Sequence, residues 1–391
     1  MATSTPDGPG QSAEMSAGLT LAMALVAGVA VANLYYNQPM LGIMERAVGD
    51  PALTGLVPTA TQLGYAAGLF FLLPLGDIAD RRRLIAWQLA AMAAALALVA
   101  LAPSAPFLIA ASLLLGICSS VAQQIIPFAA ALADPARRGK TMGTVMAGVL
   151  CGILLSRTVA GFVGTHLGWR AMFWIAAPLA LGAAGLMALL LPRNHPHATM
   201  PYGQALASVV GLWRRYPTLR RATLVQAALF AAFTVFWTIL AFHLQEPRYG
   251  LGADVAGLFG ILGVVGVIAA PVAGRIADRH GPARVVLACS TLAVLSWVLF
   301  AAWLALPGLA IGVLLLDFGV PAAFVANQHI VFALDPAARS RLNTIFMTIT
   351  FIGGAIGSAG ASLAWSPAGW PAVCGFGALM AAMALVLARP R

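Results

Sequence analysis

Residues Gly76-Asp77-Ile78-Ala79-Asp80-Arg81 recur as Gly274-Arg275-Ile276-Ala277-Asp278-Arg279, at an offset of 274 − 76 = 198. Three further pairs keep nearly the same spacing. Asp134-Pro135-Ala136 returns at Asp335-Pro336-Ala337, an offset of 335 − 134 = 201. Val121-Ala122-Gln123-Gln124 is echoed by Val325-Ala326-Asn327-Gln328, at 325 − 121 = 204, and Gly168-Trp169 by Gly369-Trp370, at 369 − 168 = 201. Four matches at one spacing mark an internal duplication, so the chain reads as two related halves.

Each half holds six apolar stretches long enough to cross a bilayer, which takes roughly 20 residues as a helix. We place the spans at 17–43, 53–75, 84–102, 107–131, 141–165, 170–191, 222–244, 253–273, 283–304, 308–332, 342–364 and 370–388. Lipid offers no partners to backbone N–H and C=O groups, so the spans are expected as helices. The segment 192–221 is the longest connection and divides a bundle at 17–191 from one at 222–391, with a disordered tail at 1–16. An even number of spans per half gives both halves the same orientation: two pseudo-symmetric six-helix bundles related about the membrane normal, with a site expected between them.

The basic residues alternate with the spans. Eighteen of the 22 Lys and Arg lie in connections on the side of both termini, and only Arg46, Arg170 and Arg248 in connections on the other. That asymmetry predicts both termini in the cytoplasm. It also accounts for the net charge of +10 without nucleic acid. With 61% apolar and 9% charged residues, the chain has far too little polar surface for a soluble domain. Residues 1–16 have no basic segment ahead of an apolar core, so the first span is expected to be retained. Cys118, Cys151, Cys289 and Cys374 all fall inside spans without ligand spacing and read as packing residues. No phosphate-binding Gly-Lys-Ser/Thr loop or His/Cys/carboxylate cluster occurs. We therefore expect no cofactor, no metal and no enzymatic activity, and transport driven by gradients.

The repeated motif resembles the G-x-x-x-D-R-x-G-R loop of the major facilitator superfamily, and the resemblance runs from about residue 17 to the end. Gly76, Asp80 and Arg81 match it, with Arg83 at the usual second glycine; Gly274, Asp278, Arg279, Gly281 and Arg284 match more fully. The resemblance implies the twelve-helix fold of that superfamily and a gating role for the two loops. An Asp near a helix end can bind that end, or an arginine on the other bundle, in one state of the cycle only. The fifth span, with Gly148, Gly152, Ser156-Arg157-Thr158-Val159-Ala160-Gly161, is similar to the g-x-x-x-G-P-x-x-G-G motif of proton-coupled antiporters, with Arg157 at the proline. In the fourth span Ser112 stands where the family has arginine. The nearest resemblance is to efflux carriers for sugars, purine nucleosides or drugs.

Two charges lie well inside spans, away from their ends: Arg157 and Asp317. A charge at mid-membrane costs about 2.5–3.5 kcal/mol on insertion scales, so each needs a partner. Arginine keeps its proton and requires an acceptor, whereas an aspartate can take up a proton, which makes Asp317 the candidate for proton coupling. The resemblance implies that the first, fourth, seventh and tenth spans line the cavity, so Asp317 is expected to face water; Arg157 fits either the cavity or the packing seam. Asn33 and Asn37, four residues apart, are expected on one face of the first span with Tyr36 beside them, and read as solute-orienting groups or as an interfacial belt ending at Pro39. Phe233 and Trp237 of the seventh span offer an apolar wall or a lipid-facing surface. Gln123 and Gln124, with Asn327 and Gln328, form a repeat-related polar set suited to a central site or to the inner gate.

These features predict a monomeric secondary transporter of the bacterial inner membrane that exports a small organic solute in exchange for protons and contacts only solute, protons and lipid. An uptake carrier or facilitator of the same fold, and a membrane receptor or lipid-handling protein, are the alternatives.

Overall fold

The computed structural model describes residues 16–134, 137–193, 201–335 and 338–389. Among them all regular structure is helical, and twelve helices are long and apolar enough to span a membrane. In chain order these are α1 (Ala17–Val48), α2 (Pro51–Gly76), α3 (Arg81–Leu101), α4 (Ala105–Leu132), α5 (Arg138–Leu167), α6 (Trp169–Leu190), α8 (Pro217–Leu244), α9 (Ala253–His280), α10 (Pro282–Ala302), α11 (Leu306–Phe332), α12 (Arg339–Ser366) and α13 (Ala368–Ala388). A shorter helix, α7 (Tyr202–Arg215), lies between the halves. Residues 1–15 of the expected disordered tail lie outside the described residues; Ser16 caps α1, accepting from the Leu19 N–H at 3.1 Å.

Three expectations need correction. First, α1 runs to Val48 rather than residue 43 and is broken at Asn33–Tyr36, so Pro39 does not end it. The helix restarts at Asn37, which puts Pro39 in its first turn, where a backbone N–H has no intrahelical partner to lose. Second, the connection 192–221 is not all loop. It contains α7, and α8 starts at Pro217. Helix α7 buries only Val209 and Leu212 and ends in Arg214 and Arg215, a surface pattern that no search for continuous apolar runs detects. The Tyr202 hydroxyl donates to the Phe71 carbonyl at 2.8 Å and ties α7 to the end of α2. Third, the two motif copies differ in backbone. Gly274–Arg279 is continuous helix, and the chain turns at Gly281, with φ 85°. In the first copy the chain turns earlier, through a 3-10 helix at Pro74–Asp77, and Asp80 caps α3. Arg83 therefore sits in a helical first turn, where the glycine of the second copy is not needed.

The Gly168-Trp169 and Gly369-Trp370 repeat has a shared conformation. Both glycines have positive φ, 84° and 61°, which a side chain would strain, and both tryptophans are buried beyond the turn. Within the first bundle, α2 and α4 approach so closely that a Cβ on Gly64 or on Gly116 would stand 2.0 Å from a backbone oxygen of the other helix, Leu113 O or Thr61 O.

The bundles pack through the inner halves of α2 and α12, where Tyr65 meets Phe351 and Phe70 lines a cleft with Ile345, and polar contacts join them on the arginine-poor side. Arg46 donates to Gln245 Oε1 at 2.6 Å, Ser362 Oγ to the Gly55 carbonyl at 2.7 Å, and the Asp254 N–H to Thr165 Oγ1 at 3.1 Å. Helix α9 breaks at Gly263. Its first half packs on α5, while its second half, Val264–His280, lies against α11 and α10.

Candidate substrate and coupling site

The two intramembrane charges come together at the bundle junction. Arg157 of α5 and Asp317 of α11 are both buried, each 3% exposed. They do not touch directly. The Arg157 guanidinium carbon lies 4.0 Å from the centre of the Trp237 indole, and the same indole donates its Nε1–H to Asp317 Oδ1 at 3.2 Å. One ring thus holds the cation on its face and the anion at its edge, the geometry that the quadrupole and the N–H dipole both favour.

The rest of the shell is aromatic and amide. Tyr35 and Phe233 present ring centres 4.7 and 5.8 Å from the guanidinium carbon. Arg157 Nε donates to Gln38 Oε1 at 2.9 Å, and Nη2 is buried without a hydrogen-bond acceptor. A gap too narrow to admit water lies beside it, lined by Gln38, Arg157, Trp237 and Ala256 among others. Glycines make room for this arrangement. A Cβ on Gly257 would lie 2.6 Å from the Arg157 carbonyl, one on Gly260 3.0 Å from Arg157 Cβ, and one on Gly263 3.0 Å from Asp317 Oδ2. Thr158 Oγ1 donates to the Gly257 carbonyl at 3.0 Å, so α5 and α9 hold Arg157 in register.

The other candidates divide. Asn33 and Asn37 do not share a face. The break in α1 turns Asn33 toward α3, where Nδ2 donates to Val29 O at 2.7 Å and contacts Met92 Sδ at 3.6 Å. Asn37 donates to Thr61 Oγ1 of α2 at 3.0 Å, leaving its Oδ1 unpartnered. Tyr36 is buried within the first bundle's core. Gln124 serves that bundle too, donating to Leu72 O and Gln88 Oε1, both at 2.9 Å. Gln123 is half-buried beside Tyr65, whose ring lies 4.3 Å from Phe351 of the second bundle. Asn327 donates to Gln226 at 3.2 Å and Gln328 to Asn343 at 3.3 Å, both inside the second bundle.

Around the first motif, Arg81 Nε donates to the Gly76 carbonyl at 2.7 Å, and Asp80 Oδ1 accepts from the Arg82 N–H at 3.0 Å. Asp80 thus binds the start of its own helix. In the second motif Asp278 and Arg279 are exposed, and nothing crowds Gly274. Among the described residues no group of three or more His, Cys, Asp or Glu is placed to hold a metal.

The sequence profile of the Major Facilitator Superfamily matches residues 23–271 and 222–391. The chain belongs to the major facilitator superfamily. Its relatives are transporters rather than enzymes. The Escherichia coli transporter YgaY is 40% identical over 382 residues, covering 96% of this chain and 95% of the relative. The probable transporter SCO4007 of Streptomyces coelicolor is 35% identical over 382 residues, covering 94% and 86%. A chloramphenicol resistance protein of Streptomyces lividans is 28% identical over 279 residues, covering 69% and 70%. The fold matches that of the nucleoside transporter NupG with a TM-score of 0.75 at 15% identity, over 94% of this chain and 99% of that one. This major facilitator chain is therefore an integral membrane transporter. Sequence reasoning found its two buried charges but missed Gln38, Tyr35 and Gly263 as their neighbours. Gln38 adjoins the flagged Asn37, but only the break in α1 turns it toward α5.

Proposed function

We propose that this transporter exports a small organic solute in exchange for protons by alternating access, with Asp317 as the proton acceptor and Arg157 as its counter-charge. The observation carrying the reading is the buried Arg157–Trp237–Asp317 array, to which each bundle contributes one charge. A proton on Asp317 removes the attraction across the indole, so protonation and the joining of the bundles are linked through one equilibrium. The unpartnered Nη2 of Arg157 and the faces of Tyr35, Phe233 and Trp237 suit a flat solute that carries a hydrogen-bond acceptor. The charge asymmetry supports the arginine-rich side as cytoplasmic, in a bacterial inner membrane with both termini inside. Closure on the other side then corresponds to a carrier shut toward the exterior. The name of the Streptomyces lividans relative supports export and makes chloramphenicol the first solute to try.

The test is flux in proteoliposomes of the purified monomer, with a pH gradient imposed or collapsed. Chloramphenicol comes first and a panel of nucleosides and sugars follows. Accumulation that follows the gradient in the direction opposite to proton flow is the expected outcome. Flux indifferent to the gradient contradicts proton coupling, and solute moving with the protons contradicts exchange.

A further inference from the structure

At the arginine-rich face, α3 and α6 enclose a groove of about 420 Å³ whose upper rim carries Arg82, Arg83 and Arg193. Its floor is made of small residues, among them Gly185 and Ala188, and a Cβ on Gly185 would meet nothing within 4 Å. Trp87, 74% exposed, stands beside it. Three arginines face one acid, Asp80. That carboxylate is turned into the start of α3, with Oδ1 accepting from the Arg82 N–H and Oδ2 no closer than 3.9 Å to Arg83 Nε. The rim is therefore a concentration of positive charge over an apolar slot, with an indole at the depth where interfacial tryptophans sit.

We infer that this groove holds one anionic phospholipid of the adjoining leaflet, its phosphate bound by Arg83 and Arg193 and an acyl chain lying on the floor over Gly185. Guanidinium groups pair with phosphate oxygens through two parallel N–H donors, which a compact ammonium cannot reproduce. Basic clusters just outside a span attract anionic headgroups. Charge complementarity sets the class: a rim with three cations and one preoccupied acid favours a headgroup of net negative charge over a zwitterion. The site also gives a use to the departure at Arg83. The second copy has Gly281 at that place and Arg279 and His280 before it, so the repeat does not carry the three-arginine rim. The lipid would sit against the turn that joins α2 to α3, on the first motif.

The test is native mass spectrometry of the full chain in neutral detergent, titrated with phosphatidylglycerol or with phosphatidylcholine of the same acyl chains. The expected result is one phosphatidylglycerol retained at least ten-fold more tightly. Arg83→Gln with Arg193→Gln should erase that preference, and Gly185→Leu, which fills the floor and leaves the charges, should weaken the adduct as well. Unfolding temperatures measured without lipid should match the parent in both variants, since these side chains are at the surface. Equal retention of the two lipids, undiminished phosphatidylglycerol binding in the double arginine variant, or displacement by inorganic phosphate at matched concentration would each overturn the inference. The last would mark a free-anion pocket.

Discussion

Trp237 donates its indole N–H to Asp317 Oδ1 at 3.2 Å while its face lies 4.0 Å from the guanidinium carbon of Arg157. A ring between two opposite charges does two jobs that a direct ion pair does not. It keeps the carboxylate and the guanidinium electrostatically aware of each other, and it leaves donor capacity on Arg157 unspent. Replacing Trp237 by Phe retains a ring face and deletes the donor to a buried acceptor. The expected cost is about 1–3 kcal/mol, read as a lower denaturant midpoint in detergent.

Removing one charge should hurt more than removing both. Arg157→Ala leaves Asp317 buried without its counter-charge, and loss of one partner of a buried pair costs roughly 3–5 kcal/mol. Adding Asp317→Asn to that variant should recover part of the loss, with a coupling of about 0.5–3 kcal/mol in a double-mutant cycle. Additive losses would mean that Trp237 and Gln38 insulate the two groups.

Close helix packing makes a paired prediction. Gly116→Ala puts a methyl 2.0 Å from the Thr61 carbonyl, backbone that cannot swing aside, and should cost about 1–3 kcal/mol. Gly182→Ala on α6 meets open space and should be neutral or stabilising by up to about 1 kcal/mol, since alanine suits a helix better. Thermal unfolding of the two variants side by side checks both signs.

Closure on the arginine-poor side can be locked. A Cβ on Gly55 would lie 3.2 Å from Ser362 Cβ, so cysteines at both positions, one on each bundle, are near bridging distance. With Cys118, Cys151, Cys289 and Cys374 first replaced, oxidation of Gly55→Cys with Ser362→Cys should abolish transport, and dithiothreitol should restore it. Transport at full rate in the oxidised protein would mean that this contact does not part during the cycle.

The fold was legible because its signals are long and redundant: twelve apolar runs, one duplicated spacing and a one-sided distribution of arginines. The site was legible only as far as chemistry reveals itself in residue type. Arg157 and Asp317 stand out because charge inside lipid is costly. Their neighbours do not, because Tyr35 and Gln38 acquire their positions from a helix break whose sequence, Asn33-Leu34-Tyr35-Tyr36, carries neither glycine nor proline. A regular 3.6-residue period carried through that break wrongly put Asn33 and Asn37 together. Helix α7 was missed for a related reason, since a surface helix with two buried apolar residues leaves no continuous hydrophobic run.

The most direct test of the account compares the parent with Asp317→Asn in proteoliposomes, measuring gradient-driven flux and gradient-free counterflow on the same preparation. The variant is expected to keep counterflow, because the carrier still exchanges solute, and to lose its response to an imposed pH gradient. A variant that is still driven by the gradient would contradict the assignment of Asp317 as the proton acceptor.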